Sequence, residues 1–386
     1  MEDIVVIKIV SAGHICLDIT PVFPENKNIN GAGSGGVGDL LKPGALLKMG
    51  PANIHIGGSV SNTGLGLKEM GADVTLMGKI GKDDFGMIVR KQLSEYVSTE
   101  YMIESAVDTT SYSVVLAPPG IDRIFLHCSS ANDTFRESDL NYEIIEQAAL
   151  FHFGYPPLMK QMYVNDGEEL AKMFEKVQAH GTATSLDMAA VDEYSEAGKA
   201  DWGKILKKVL PHVDFFVPSV EELAFMLDRS LYREWKERAQ NDDVTSVIRQ
   251  TEVETLAEKA LSLGAGIVLI KCGTPGMYLA TGSMSRLAKI SDRAKADLFG
   301  WENVRHFEQS YLPDRVLSAT GAGDTAISAF LYAALQEYSW QESVQFATAA
   351  GASCVEEYDA ISGIKSFEEL KKRIDAGWRK QGQNLF

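Results

Sequence analysis

The chain has 386 residues, of which 37 are lysine or arginine and 53 are aspartate or glutamate, for a formal net charge of −16 at pH 7. At 45% apolar and 23% charged residues it has an ordinary globular composition and ample length to bury its own core, and the acidic balance excludes the basic surface that non-specific nucleic-acid binding requires. No run approaches the roughly 20 apolar residues needed to span a bilayer.

The opening MEDIVVIKIVSAG has no basic n-region, so a first buried strand over 4–10 is expected there and not a signal peptide. Residues 14–60 then lack good helix candidates, and GAGSGGVG (31–38) is a flexible loop by composition. A helix is expected over 61–71, a strand over 73–80 and a helix over 85–97. Residues 106–130 again lack helix candidates; SYSVVLA (111–117) and IDRIFLHC (121–128), joined by PPG, read as a hairpin. Strands at 150–155, 182–188, 214–218 and 267–273 alternate with helices at 167–181, 203–213 and 255–264. Residues 228–254 and 284–312 are polar and read as irregular surface insertions. Continuous apolar strands alternating with helices imply a mostly parallel sheet covered on both faces, and the two irregular N-terminal regions are free to form a small separate sheet. Cys16, Cys128, Cys272 and Cys354 are far apart and form no CxxC pair, as expected of a reduced cytoplasmic chain.

Few motifs carry chemistry. GAGSGG (31–36) matches GxGxxG, but no strand precedes it and no helix follows, so it does not read as a dinucleotide site. There is no GxxxxGK[ST], HExxH or GxSxG. In contrast, Thr320-Gly321-Ala322-Gly323-Asp324 runs straight into an apolar helix. Its glycines let successive N–H groups converge, and the helix N-terminus adds partial positive charge at the same point, which makes an anion hole suited to a phosphoryl group. Asp324 would then be either a reactive carboxylate or a plain N-cap. Gly57 and Gly58 permit close approach of backbone to a ligand, and Asn62 offers a donor and an acceptor for hydroxyls. VPSVEEL (217–223) places acids just after a strand, at the ligand edge of a parallel sheet, where Glu222 could hold hydrated Mg²⁺ or simply favour the helix dipole. His152, inside a buried strand, reads as a satisfied core residue.

In this order, the pieces resemble the ribokinase-like (PfkB) family of carbohydrate kinases from about residue 10 to residue 370. GHICLDITP (13–21) resembles the strand with a sugar-binding aspartate, here Asp18. GGSVSN (57–62) resembles the substrate loop, GKDDFG (81–86) the GxDxxG element, and SSANDTF (129–135), with Asn132, the element before the next strand. FVPSVEEL (216–223) resembles the segment near magnesium and phosphate. IKCGTPGMYL (270–279) resembles the nucleotide-side strand, and ATGAGD (319–324) the C-terminal signature. The resemblance implies a three-layer α/β sandwich with a central mostly parallel sheet. It also implies one domain over 1–386 with a discontinuous β lid from about 14–60 and 106–130. By the same resemblance the chain is an ATP-dependent sugar kinase with Asp324 as catalytic base and Gly321, Ala322 and Gly323 as anion hole. Asp18, Gly57, Gly58, Asn62 and Asn132 would hold the sugar. Lys271, Gly273, Gly276, Ser219 and Thr320 would face the nucleotide, with Ala350 and Cys354 bordering the adenine. Glu222 would hold Mg²⁺ through water, and two copies would pair through the lid.

Two positions depart from the family pattern. Ser219 stands where the family usually has Asn. Ser318 stands where many members have an Asp of a monovalent-cation site, which leaves activation by K⁺ open. A nucleoside kinase of the same fold, and a non-catalytic sugar- or nucleotide-binding protein, are the alternative readings; the retained Asp324 speaks against the second.

Overall fold

The computed structural model describes residues 6–23, 43–44, 46–118, 124–240, 243–357 and 362–382. The loop expected at 31–38 and the PPG tip of the expected hairpin lie wholly or partly outside these residues.

Nine strands form the main sheet in the order β13-β12-β11-β10-β9-β8-β1-β4-β5. Its inner members are β1 (Lys8–Gly13), β4 (Asp73–Gly81), β8 (Leu150–Gly154), β9 (Ala183–Asp187), β10 (Phe215–Phe216) and β11 (Ile267–Lys271), all parallel. The short β5 (Ile103–Ser105) extends one side in parallel. On the other side β12 (Gly276–Thr281) and β13 (Arg305–Gln309) add as an antiparallel pair. β8 and β9 are buried at every position; β8 (LFHFG) accordingly reads as a nearly continuous apolar run, while β9 (ATSLD) buries Thr184, Ser185 and Asp187 as well. Alternate residues of β1 enter different cores: Val10 and Ala12 one, Ile9 the other. Helices cover both faces, giving the three-layer α/β sandwich of the ribokinase-like architecture.

The second sheet has four strands in the order β3-β2-β6-β7. They are β2 (Cys16–Pro21), β3 (Ala52–Gly57), β6 (Tyr112–Leu116) and β7 (Ile124–Cys128). β6 and β7 pair antiparallel from Tyr112↔Cys128 to Leu116↔Ile124, which is the expected hairpin. We refer to this sheet as the lid.

Several boundaries differ from the sequence reading. The first strand starts at Lys8 and runs to Gly13. The helix expected over 203–213 ends at Val209 because Pro211 forces a 3₁₀ turn. The two supposed irregular insertions are largely regular. They hold the helices Arg229–Arg238 and Met284–Ala294, the edge strand β13, and the first turn of Gln250–Ser262, the helix expected over 255–264. Arg229–Arg238 fully buries only Trp235 and is otherwise mostly charged, so its polar composition masks its apolar face. Met284–Ala294 does carry the signal, with Leu287, Ile290 and Ala294 buried on one face.

Two helices position the site. Ser59–Glu69 and Ala322–Leu335 pack closely through small residues: Ser328 Oγ donates to the Thr63 carbonyl at 3.0 Å, and a side chain on Gly66 would collide with Ser328. This contact carries Asn62 and Thr63 to the start of the second helix.

Candidate active site

In chain order the strands leave β1 in two directions, through β4 to β5 and through β8, β9 and β10 to β11. The switch point therefore lies between β1 and β8, and the carboxyl ends there are where an open α/β sheet presents its ligand crevice. His14 follows β1, Tyr155 follows β8, Asp187 ends β9, Ser219 follows β10 and Lys271 ends β11. Gly13 is required at this edge: it has φ +120°, and a Cβ there would overlap the Gly154 carbonyl.

The helix Ala322–Leu335 points its N-terminus into the crevice. Gly321 is the N-cap at φ 76°, so Asp324 is the third helical residue and not the cap. Only 4% exposed, its carboxylate accepts from three side chains. Asn62 Nδ2 donates at 3.1 Å, Thr63 Oγ1 at 3.3 Å and the Tyr155 hydroxyl at 2.6 Å. Tyr155 sits in the left-handed region at φ 66°, a strained setting for a bulky residue. It is held at both ends, since its N–H donates to the Asp187 carbonyl at 3.2 Å. The first-turn amides of a helix have no intrahelical partner. Here the Ala322 N–H is turned toward the Ala319 carbonyl at 3.4 Å, and Gly323 lines the crevice.

A cleft of about 430 Å³ opens beside Asp324, lined by Asp187, Glu222, Thr245, Lys271, Gly273 and Gly323 among others. Lys271 Nζ reaches Asp187 Oδ1 at 2.7 Å, and both are nearly excluded from solvent. Burial pushes the Asp187 carboxyl up, with Lys271 opposing and Glu222 and Asp324 adding to the rise. Lys271 is held above its usual range because Asp187, Glu222 and Asp324 outweigh the burial that would lower it. Three carboxylates thus surround one ammonium. Ser219 and Glu222 form a capping box: Ser219 Oγ accepts from the Glu222 N–H at 3.3 Å, and Glu222 Oε2 accepts from the Ser219 N–H at 2.6 Å.

On the far side of Asp324 lies the lid. Asp18, on β2, is packed against Gly57, where any side chain would collide with its carboxylate. It accepts from Cys16 Sγ at 3.3 Å, and burial raises its pKa. Gly58 has φ +91° and leaves no room for a Cβ beside the His14 carbonyl. The expected Asp18, Gly57, Gly58 and Asn62 are therefore brought to one side of Asp324, and Lys271, Gly273 and Ser219 to the other.

A family model for pfkB family carbohydrate kinases matches residues 38–366. The chain belongs to that family. An uncharacterized sugar kinase of Archaeoglobus fulgidus is 22% identical over 301 residues, covering 78% of this chain and 98% of that protein. A 5-dehydro-2-deoxygluconokinase of Clostridium botulinum is 23% identical over 375 residues, covering 95% of this chain and 94% of that one. The structure of Arabidopsis thaliana ribokinase complexed with ribose and ATP superposes with a TM-score of 0.70 at 18% identity, covering 95% of this chain and 98% of that chain.

Asn132, Gly276, Ala350 and Cys354 stand differently from expectation in this carbohydrate kinase. Asn132 spends its amide on the backbone of Ile15, accepting from N–H at 3.2 Å and donating to C=O at 2.9 Å, so it braces the β1–β2 connection instead of facing the cleft. Gly276 is required because β13 runs against it: a Cβ would overlap the Glu308 carbonyl. Ala350 and Cys354 have no exposed surface; in the second half of the same helix, Trp340–Cys354, Gly351 is partly exposed, as is Val355 just after the helix. Cys354 Sγ instead lies 3.6 Å from the Thr320 carbonyl, beneath the signature loop. Ser318 accepts from the Thr320 N–H at 3.1 Å, so it closes this turn with a neutral hydroxyl.

Sequence reasoning missed Thr63, Tyr155, Asp187, Thr245, His14 and His127. For Asp187 a signal existed, an acid at the end of an apolar strand. Tyr155 and Thr245 carry none, because nothing local marks them.

Proposed function

We propose that this carbohydrate kinase uses ATP, and that Asp324 is the general base of the transfer. The observation that carries the reading is the setting of its carboxylate. It is buried at the switch point, fixed by three donors, and placed between the lid and the cleft of Lys271. The acceptor hydroxyl lies under the lid, near Asp18, the Gly57–Gly58 backbone and Asn62. Its proton passes to Asp324 as its oxygen bonds to the γ-phosphorus, and the bond from that phosphorus to the ADP oxygen breaks. The Gly321 and Gly323 amides, at a helix N-terminus, face the oxygens on which charge accumulates. Ala322 contributes less than expected, since its N–H leans toward Ala319.

Lys271, Gly273 and Ser219 fit the nucleotide side of the cleft. The surplus of carboxylates there suits a hard, hydrated cation, since among the described residues no three acidic, His or Cys side chains are placed to hold a bare ion directly. Mg²⁺ held through water by Glu222 would neutralise phosphate charge. The lid presents exposed Ile54, Phe125 and Leu126, which supports pairing of two copies across it.

The test is Asp324→Asn, assayed by ADP release with a panel of sugars. Turnover should fall at least ~100-fold with nucleotide binding retained. Near-normal turnover by the variant would remove Asp324 from this role.

A further inference from the structure

A buried ion pair stands beside the base. Asp187 ends β9 and Lys271 ends β11, with β10 between them, and Lys271 Nζ bonds Asp187 Oδ1 at 2.7 Å. The lysine is fixed along its whole length. Its N–H donates to the Pro218 carbonyl at 2.9 Å. Its stem lies against the signature loop: a Cβ on Gly323 would stand 3.5 Å from Lys271 Cδ and 3.9 Å from Nζ. Its tip is on Asp187, and the two side chains are 13% and 1% exposed.

This position decides what the cation can reach. A phosphoryl group bonded to the Gly323 amide would lie against the same residue as the Lys271 ammonium, one position before Asp324. All three residues line the cleft of about 430 Å³. The charged groups that bear on Lys271 are Asp187 of β9, Glu222 of the helix Val220–Leu227 and Asp324 of the helix Ala322–Leu335; His152 of β8 also feels its charge. Of the three carboxylates, it is Asp187 that bonds the ammonium. Asp324 takes its hydrogen bonds from the uncharged Asn62, Thr63 and Tyr155. An ammonium bonded directly to Asp324 would make it a weaker base. Asp187 thus holds a positive charge beside the phosphoryl position without letting it close onto the base.

We infer that Lys271 is a further catalytic residue, bonding the γ-phosphoryl oxygens of ATP and staying with them through the transfer, and that Asp187 is the residue that positions it. The inference rests on the kinase reading above. Lys271 gives up no proton. The acceptor oxygen bonds the γ-phosphorus, the bond to the ADP oxygen breaks, and the acceptor proton goes to Asp324, while the ammonium offsets the charge spread over the phosphoryl oxygens. An ammonium has three N–H donors, so one can stay on Asp187 while the others meet phosphate.

The test pairs binding with turnover in the double variant Lys271→Met/Asp187→Asn, which removes both charges together so that neither is stranded. The β,γ-imido analogue of ATP, and ADP, each with Mg²⁺, are titrated by calorimetry. ADP release is measured with ribose, fructose, 2-keto-3-deoxygluconate and adenosine as acceptors. The variant should bind the analogue at least ~10-fold more weakly, the loss of one charge-assisted bond, and ADP as the wild type does. Its kcat on the best of these acceptors should fall at least ~100-fold, as for the loss of one oxyanion donor. An unchanged ratio of the two affinities, or a near-normal kcat, would overturn the inference and leave the kinase reading standing. A wild type that binds neither nucleotide would remove the kinase reading itself. Asp187→Asn alone keeps the ammonium and tests the positioning: kcat should fall at least ~10-fold while KM for ATP stays within about twofold. A lowered thermal midpoint with near-normal kcat would mark a merely structural residue and take Asp187 out of this role.

Discussion

His152 offers a quantitative check on the core of this fold. It lies mid-strand in β8, paired between Ser11 of β1 and Ser185 of β9, with no exposed surface. Its Nδ1 meets Ser185 Oγ at 3.0 Å, while Nε2 has no partner. Burial, with Lys271 adding to it, lowers its pKa from 6.5 to about 3. Between those values the unfolded chain binds a proton that the folded chain refuses, so stability must fall as pH drops through this window. Acidification from pH 7 to pH 5 should cost about 2 kcal/mol through this residue alone. The measurement is urea unfolding by circular dichroism across that range for the wild type and His152→Gln. Other titrating groups are common to both proteins and cancel in the comparison. The variant should be less sensitive to acid by about 2 kcal/mol, whatever its stability at pH 7. Parallel pH profiles would show that His152 is protonated in the folded state and refute the reasoning.

Four further outcomes are expected. Tyr155→Phe removes a charge-assisted bond to Asp324 worth roughly 1.5–3 kcal/mol, and should lower kcat about tenfold or more while acceptor KM stays near normal; the steady-state parameters decide. Lys271→Met strands Asp187 among carboxylates, and should destabilise by roughly 3–5 kcal/mol in thermal unfolding, with Asp187→Asn in the same chain recovering part of the loss. Gly58→Ala forces a Cβ against the His14 backbone at positive φ, and should lose more than ~1 kcal/mol in the same assay. Because Ser318 closes its turn with a neutral hydroxyl, replacing K⁺ by Na⁺ should change kcat/KM less than about twofold; a large K⁺ dependence would mean that other groups build a cation site.

What could be read from the sequence was the chemistry that neighbours in the chain settle among themselves. The glycine-rich approach to a helix at 320–324 is such a case, since φ at Gly321 and the helix N-terminus are local matters. So is the capping box of Ser219 and Glu222, since an acid in the first turn after a strand favours the helix terminus whether or not it also lines the cleft. What could not be read was partnership across distance. The donors to Asp324 come from Asn62, Thr63 and Tyr155, separated from it by 262, 261 and 169 residues. Asn132 misled for the same reason: its amide is consumed by Ile15, across 117 residues, and no local pattern announces that. The misread insertions have a different cause. In Arg229–Arg238 the apolar face of Leu231, Tyr232 and Trp235 is embedded in a largely charged segment, and that polar composition reads as loop.

The path of the chain through the lid has a consequence of its own. β1 belongs to the main sheet, β2 and β3 to the lid, β4 and β5 to the main sheet, β6 and β7 to the lid, and β8 to the main sheet again. The lid is therefore stitched to the body and not hung from it. No cut at a single connection would release it, and no contiguous stretch of sequence could be transplanted to carry it to another protein. The stitches are also the site: His14 lies in the first crossing, Gly57 and Gly58 in the second, and Asn132 just after the last strand of the lid. Any tilt of the lid must rotate the backbone at those residues, so opening the crevice and rearranging the proposed acceptor site are one motion.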